Sequence, residues 1–292
     1  MPAVFVTYSL AYLDRANFGF GAAAGIAATL HITGKQVSLL GGLFFLGYFA
    51  FQVPGAMFAR KHSASWLVFA ALVGWGTCAA LTGVIRVFWL LALDRFALGV
   101  AESVIFPSML YLLTRWFTRA ERSRANAFLI LGNPVTVLWM SAITGYLIEA
   151  FGWQKTFILE GLPSVLWALV WILFVKDRPG KASWMTPEAA AGLERALTEE
   201  QDAVKHATCD VGKALLKPDV VALAVQFFFW SLGVYGFVLW LPFIVRQGSA
   251  LSMGRTGLLA AVPYIAAVVL MLTVSHISDR TYQRQALVCL FS

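Results

Sequence analysis

Runs of apolar residues, each broken by a short polar stretch, recur along the whole chain. Eight of them reach the roughly 20 residues that an α-helix needs to cross a bilayer: 3–29, 36–58, 65–85, 87–113, 124–148, 154–175, 219–245 and 253–275. A ninth, "ALVCLFS", has only begun at Ser292, so the sequence reads as truncated within that span. The pattern predicts an all-α polytopic membrane protein. Its one long polar stretch, 176–217, separates a six-helix bundle at 1–175 from an incomplete second bundle at 218–292. Inside that linker, "TPEAAAGLERALTEEQDAV" offers Thr186 as N-cap, Pro187 at the first helical position and Glu188 behind it, which predicts a surface helix.

Composition agrees with the pattern. The chain is 60% hydrophobic and 13% charged, with mean hydropathy +0.75, against about 25% charged residues in soluble domains. A net charge of +7 raises the possibility of a nucleic-acid partner, and the positions of the basic residues dismiss it. With the start placed in the cytoplasm, fifteen of the 22 Lys and Arg residues fall in inside loops and five in outside loops. The positive-inside rule therefore sets the orientation and accounts for the charge. Cys78, Cys209 and Cys289 are odd in number and far apart, which supports neither a disulfide framework nor a thiol metal site. His31, His62, His206 and His276 lie in loops without metal-ligand spacing, and no Gly-rich phosphate loop appears. The opening "MPAVFVTYSLAY" has no basic n-region and reads as no signal peptide. No cofactor is expected.

Arg15 and Arg95 are the two basic residues left inside the membrane, and they have acidic company. At 1.5 Å per residue, Asp14 in helix one and Glu102 in the oppositely running helix four each lie about 16 Å from the cytoplasmic ends. Two carboxyl groups thus share the midplane. Arg95 precedes Glu102 by seven residues, two turns, so both project from one face. Asp14 and Arg15 are adjacent and point about 100° apart, so their partners lie on other helices or in a ligand. Each such charge costs roughly 2.5 to 3.5 kcal/mol at a helix centre. Structural ion pairs between helices one and four are one reading. An anion site with a proton-binding carboxylate is the other. "LDRANFG" in helix one and "LDRFALG" in helix four also echo each other, as first members of two repeated three-helix units would.

"YLDRANFGF", "DRFALGVAESVIFPSMLYLLTRWF", "FILEGLPSVL" and "YGFVLWLPFIV" together resemble the anion:cation symporter branch of the major facilitator superfamily, which includes permeases for sugar acids and aromatic carboxylates and relatives of sialin. The most specific positions are Asp14, Arg15, Asn17, Arg95, Gly99, Glu102, Pro107 and Trp116. The resemblance implies a major facilitator fold of two six-helix bundles, from which about four helices and a short cytoplasmic start are absent here. It also implies proton-coupled uptake of a small organic anion by alternating access. Arg15 would bind the substrate carboxylate with Arg95 and Asn17 beside it, and Asp14 and Glu102 would carry protons. Superfamily loop motifs are altered: Gly55 and Arg60 are kept but Ala59 replaces the acid, and "SHISDRTYQR" keeps Asp279, Arg280 and Arg284 but has Ser275 and Tyr282 at the usual glycines. Arg60, Asp279, Arg280 and Arg284 are the candidate gate. Asp94 is unusual for the branch, and an acid there would neutralise Arg95.

Tyr48, Asn133 and Tyr235 lie inside helices two, five and seven, where they can hydrogen-bond a polyol or serve as packing contacts. Glu160 is expected near the outer end of helix six in a structural role, and "GAAAG" at 21–25 as a close helix contact. Pro54, Pro107, Pro134, Pro163, Pro242 and Pro263 can bend helices of a rocking protein. The expected mechanism is an exchange of partners: a substrate carboxylate takes Arg15 as a bidentate partner, the displaced acids take up protons, and the neutralised site reorients. The reading places a monomer in the bacterial inner membrane, with lipid and the anion as its partners. Two other classes stay open: a non-transporting remnant or membrane sensor, and an integral-membrane enzyme, against which the lack of a nucleophile or metal cluster counts.

Overall fold

The structure is a computed structural model that describes residues 1–204, 216–249 and 251–281, without the side chains of 14, 201–204, 272 and 275–281. Among the described residues it is built of ten α-helices, α1 (Pro2–Ala23), α2 (Ile26–Thr29), α3 (Gly34–Lys61), α4 (Ala64–Thr82), α5 (Phe88–Ser103), α6 (Ile105–Trp116), α7 (Arg119–Phe174), α8 (Pro187–Val204), α9 (Pro218–Ser249) and α10 (Met253–Thr281), with one 3-10 turn at Pro179–Lys181. Among the described residues, six helical stretches are long and apolar enough to span a membrane: Gly34–Lys61, Ala64–Thr82, Phe88–Trp116, Arg119–Phe174, Pro218–Ser249 and Met253–Met271. The 56-residue α7 is two limbs that turn at Gly152 (φ 79°), the conformation that glycine alone takes without strain. These limbs are the expected fifth and sixth spans.

Local chemistry sets the element ends. The Thr33 hydroxyl accepts from the Gln36 amide while the Gln36 side chain accepts from Thr33 N–H, a capping box that starts α3. Thr118 and Glu121 repeat the device at the start of α7, and Ser63 caps α4. The fourth span is interrupted after Ser103, because Pro107 has no N–H to give the Ser103 carbonyl. The first span also stops short of the expected Thr29. Gly25 adopts φ 95° and separates α1 from α2. The expected packing role of "GAAAG" therefore holds for Gly21, whose open face meets Phe157, and is corrected for Gly25, which has open space around it and serves the turn. Helices α3, α7, α9 and α10 run on through Pro54, Pro134, Pro163, Pro242 and Pro263.

Helix α3 packs on α5, α4 on α5 and α7, and α1 on α7. The approach of α3 to α5 is close enough that a Cβ on Gly47 or Gly99 would overlap a backbone carbonyl of Phe96 or Phe44. Helix α9 lies against α1 and α10 against α7. Large apolar side chains such as Phe49, Trp89 and Leu166 point outward, as lipid contact requires. At the end of the bundle that carries the linker, Asp177 accepts from the Ser63 hydroxyl (2.6 Å) and the Ser65 amide (2.8 Å). There Trp116 donates to the Lys176 carbonyl (2.8 Å) and stacks on Trp184. The surface helix α8 forms where the sequence places it, with Thr186 accepting from the Ala189 amide (3.4 Å).

Candidate functional site

Arg15 lies on the inner face of α1, 5% exposed. Its Nε donates to Oε1 of Glu102, which is fully buried on α5, and the two form an ion pair. Its NH1 donates to the Tyr235 hydroxyl of α9 at 2.9 Å. The guanidinium also sits 4.4 Å from the centroid of the Tyr48 ring of α3, within cation–π range. One arginine is thus held by side chains from three other helices. The Gly47 and Gly99 contacts bring Tyr48 and Phe44 onto it by letting α3 close on α5.

Arg95, one residue past Asp94, is 2% exposed and rests on aromatic faces, 4.4 Å from the Phe18 centroid and 5.3 Å from that of Phe44. The Phe44 ring lies within 5.9 Å of the Arg15 guanidinium as well. Both arginines therefore share one aromatic wall. The Asp94 carboxylate accepts from the Thr82 hydroxyl at 2.8 Å, a contact that the expected neutralisation of Arg95 did not include.

Asn17 faces away from Arg15. Its amide donates to Oε2 of Glu160 at 2.5 Å, and Thr144 approaches both, 2.7 Å from Glu160 Oε1 and 3.1 Å from Asn17 Oδ1. This cluster joins α1 to both limbs of α7. Asn17 is two residues from Arg15, about 200° around the helix, so one cannot serve the other's site. Asn133 lines a cavity of about 750 Å³ between α1, α7, α9 and α10. Tyr12, one turn before Arg15 and 5.7 Å from its guanidinium, lines the same cavity and separates it from the arginine. Arg60 is exposed and forms no ion pair among the described residues. The side chains of Asp14, Asp279 and Arg280, and Arg284 as a whole, lie outside the described residues.

Four functional-looking groups were missed by sequence reasoning: Tyr12, Thr82, Thr144 and Asp177. Tyr12 had a signal, since three residues before Arg15 places it on the same helix face. The others are ordinary polar residues until folding brings their partners to them.

The cavity is bounded by Ile130 and Asn133 on α7, Gln226 on α9 and Met271 on α10, all toward the linker end of those helices. Toward the opposite end these helices approach one another closely. A Cβ on Gly257 of α10 would overlap the Ser141 carbonyl of α7, and one on Gly19 of α1 would come within 2.5 Å of the Leu239 carbonyl of α9. Glu149, exposed at that end, accepts from the Gly254 amide at 2.7 Å and so caps the first turn of α10. The Gly254 amide, with the Ser252 hydroxyl second, holds the Glu149 carboxyl below its ordinary range.

These features define a helical membrane bundle with a buried charged site beside a cavity between α1, α7, α9 and α10. The chain belongs to the Major Facilitator Superfamily, whose sequence pattern it matches over residues 4–292, and it is a multi-pass membrane protein. It is 33% identical over 290 residues to a "Putative tartrate transporter" of Agrobacterium vitis, covering 97% of this chain and 64% of that protein. It is also 33% identical to a "Quinolone resistance transporter" of Acinetobacter baumannii, covering 97% of this chain and 67% of that one. The chain thus spans about two thirds of the length of these relatives. Among solved structures, a bacterial homolog of the human lysosomal transporter Spinster, inward-facing and occupied, superposes with TM-score 0.74 at 18% identity, over 97% of this chain and 61% of that one. Both of these sequence relatives are named as transporters, which counts against the enzymatic reading.

Proposed function

We propose that the protein works in secondary active transport, taking up a small organic anion with protons by alternating access. The observation that carries this is Arg15, buried in the membrane interior and held by Glu102, Tyr235 and Tyr48 from three other helices. A planar guanidinium can exchange one carboxylate for another without losing its geometry. A substrate carboxylate entering past Tyr12 displaces Glu102 and takes the arginine fork. Glu102 then accepts a proton, so the loaded site carries no extra charge through reorientation. Asp14, on the adjacent position of α1, is the second proton carrier. Tyr48, Tyr235 and Arg95 line the anion, and Asn133 faces it along the cavity.

With the positive-inside orientation, the linker end is cytoplasmic and the N-terminus is inside, in a bacterial inner membrane. The cavity then faces the cytoplasm, and the Ser141–Gly257 and Gly19–Leu239 contacts close the outer side. The name of the Agrobacterium vitis relative supports a hydroxylated dicarboxylate such as tartrate as the first substrate to test.

Arg15→Lys tests the proposal. Lysine keeps the charge and loses the planar fork, so it cannot grip a carboxylate through two parallel N–H bonds. Isothermal titration of the purified protein with tartrate and with an aromatic carboxylate should show binding to the wild type and loss of at least about tenfold in affinity, or about 1.4 kcal/mol, in the variant. Unchanged affinity in Arg15→Lys would make Arg15 a structural counter-ion only.

A further inference from the structure

The cluster of Asn17, Thr144 and Glu160 is a closed ring with three edges. Asn17 Nδ2 and Glu160 Oε2 are 2.5 Å apart, Glu160 Oε1 and Thr144 Oγ1 2.7 Å, and Thr144 Oγ1 and Asn17 Oδ1 3.1 Å. Each edge is short enough for a hydrogen bond, and a full two-centre bond on every edge takes three protons. All three side chains are buried: Asn17 is 2% exposed, Thr144 1% and Glu160 7%.

The supply of protons can be counted. One end of a carboxamide donates and the other accepts, so Asn17 provides a donor to one of its two edges. Thr144 has a single hydroxyl proton. An ionised carboxylate has none. The ring then holds two protons for three edges, so one edge either presses acceptor against acceptor or shares the Thr144 proton as a weaker three-centre bond. Turning the Asn17 amide over does not change this count, because it moves the deficit from the Thr144 edge to the Glu160 edge. A protonated Glu160 supplies what is missing. Glu160 donates to Thr144, Thr144 to Asn17, and Asn17 back to Glu160, with one proton on each edge.

We propose that Glu160 is a proton-binding site, and that its carboxylic acid proton closes the ring that ties α1 to both limbs of α7. The site is distinct from the Arg15–Glu102 pair and from Asp14. Helices α1, α4, α6 and α10 pack on α7, and the ionisable side chains described on them are Tyr8, Tyr12 and Arg15, then Cys78, then Tyr111 and Arg115, then Arg255 and Tyr264; Arg15 is engaged by Glu102 and Tyr235, and Cys78 neighbours Asp94. On α7 itself, Tyr146, Glu149 and Lys155 are exposed. As an acid that stays neutral, Glu160 fastens three segments together without adding negative charge to an interior that must admit an anion.

Infrared difference spectroscopy of the purified protein at neutral pH tests this, with Glu160→Gln as the subtracted variant. Glutamine offers one donor and one acceptor where the protonated acid does, so it can complete all three edges and should fold. The expected result is a carboxylic acid carbonyl stretch that is present in the wild type, absent in Glu160→Gln, and displaced slightly in D₂O. Loss of a carboxylate stretch in its place would mean that Glu160 is ionised and would overturn the proposal. Thr144→Val removes the acceptor of the acid proton and should move the acid carbonyl band without abolishing it. If Glu160→Gln does not accumulate as folded protein, that second variant decides: a moved band supports the ring, and an unmoved spectrum refutes it.

Discussion

Glu102→Ala leaves the Arg15 guanidinium buried with its ion-pair partner gone. The pair is almost wholly enclosed, with side-chain exposures of 4% for Arg15 and 0% for Glu102, so water cannot take the place of the carboxylate. Removing one member of a buried pair costs about 3 to 5 kcal/mol. At 1.4 kcal/mol per tenfold change, that is on the order of a hundredfold to a few thousandfold in the ratio of folded to unfolded protein. The double variant Arg15→Met with Glu102→Leu should behave differently. It removes both desolvated charges and fills their volume with apolar groups, a replacement that is commonly neutral or stabilising. It also leaves the Tyr235 hydroxyl without its Arg15 partner, at a cost of about 1 kcal/mol. The double variant should therefore lie within roughly 1 kcal/mol of the wild type, while losing anion binding. Unfolding by added detergent in bicelles, followed through the 11 tryptophans, supplies both numbers. If Arg15→Met and Glu102→Leu, each measured alone, have effects that sum to that of the double variant within about 0.5 kcal/mol, Arg15 and Glu102 are not coupled and the paired site is wrong.

Three further outcomes are expected. In proteoliposomes, Glu102→Gln should keep substrate exchange and lose accumulation under a proton gradient, because the mimic of the protonated state reorients but releases no proton; intact accumulation would exclude Glu102 as the coupling acid. The Glu149 carboxyl is held below its ordinary range by the Gly254 amide, so its contribution to the start of α10 is complete above the unfolded value of about 4.3 and is lost as pH falls through the lower folded value. Cross-linking yield between α7 and α10 should drop with it in the wild type and stay pH-independent in Glu149→Gln. Gly257→Val should push α10 off α7, since even a Cβ there overlaps the Ser141 carbonyl; a distance between spin labels on the two helices that matches the wild type would contradict this packing.

Much of the architecture is legible in the amino-acid sequence by itself. Hydrophobic run length determines where a chain can cross a bilayer, and the spans at 36–58, 219–245 and 253–275 lie within α3, α9 and α10, while 65–85 overruns the end of α4 by three residues. The linker helix is legible from Thr186 and Pro187, because capping is local chemistry. The burial of Arg15, Arg95 and Glu102 is legible too, since no polar loop lies near them. Turns are less so. Gly25 and Gly152 look alike in sequence to helical glycines, and only a positive φ marks them as breaks.

Tertiary structure alone decided who meets whom. Periodicity places Arg15 and Asn17 on different faces of α1 but does not say which helix each face meets. The fold brings Glu102, 87 residues away, to Arg15, and Glu160, 143 residues away, to Asn17. A residue expected to bind substrate thus closes a ring with an acid expected only to support the fold. Helical rise and face are set by each segment's own backbone. The partner across an interface depends on how closely two backbones approach, and here that distance is set by glycines such as Gly47, Gly99 and Gly257 on helices far apart in the chain.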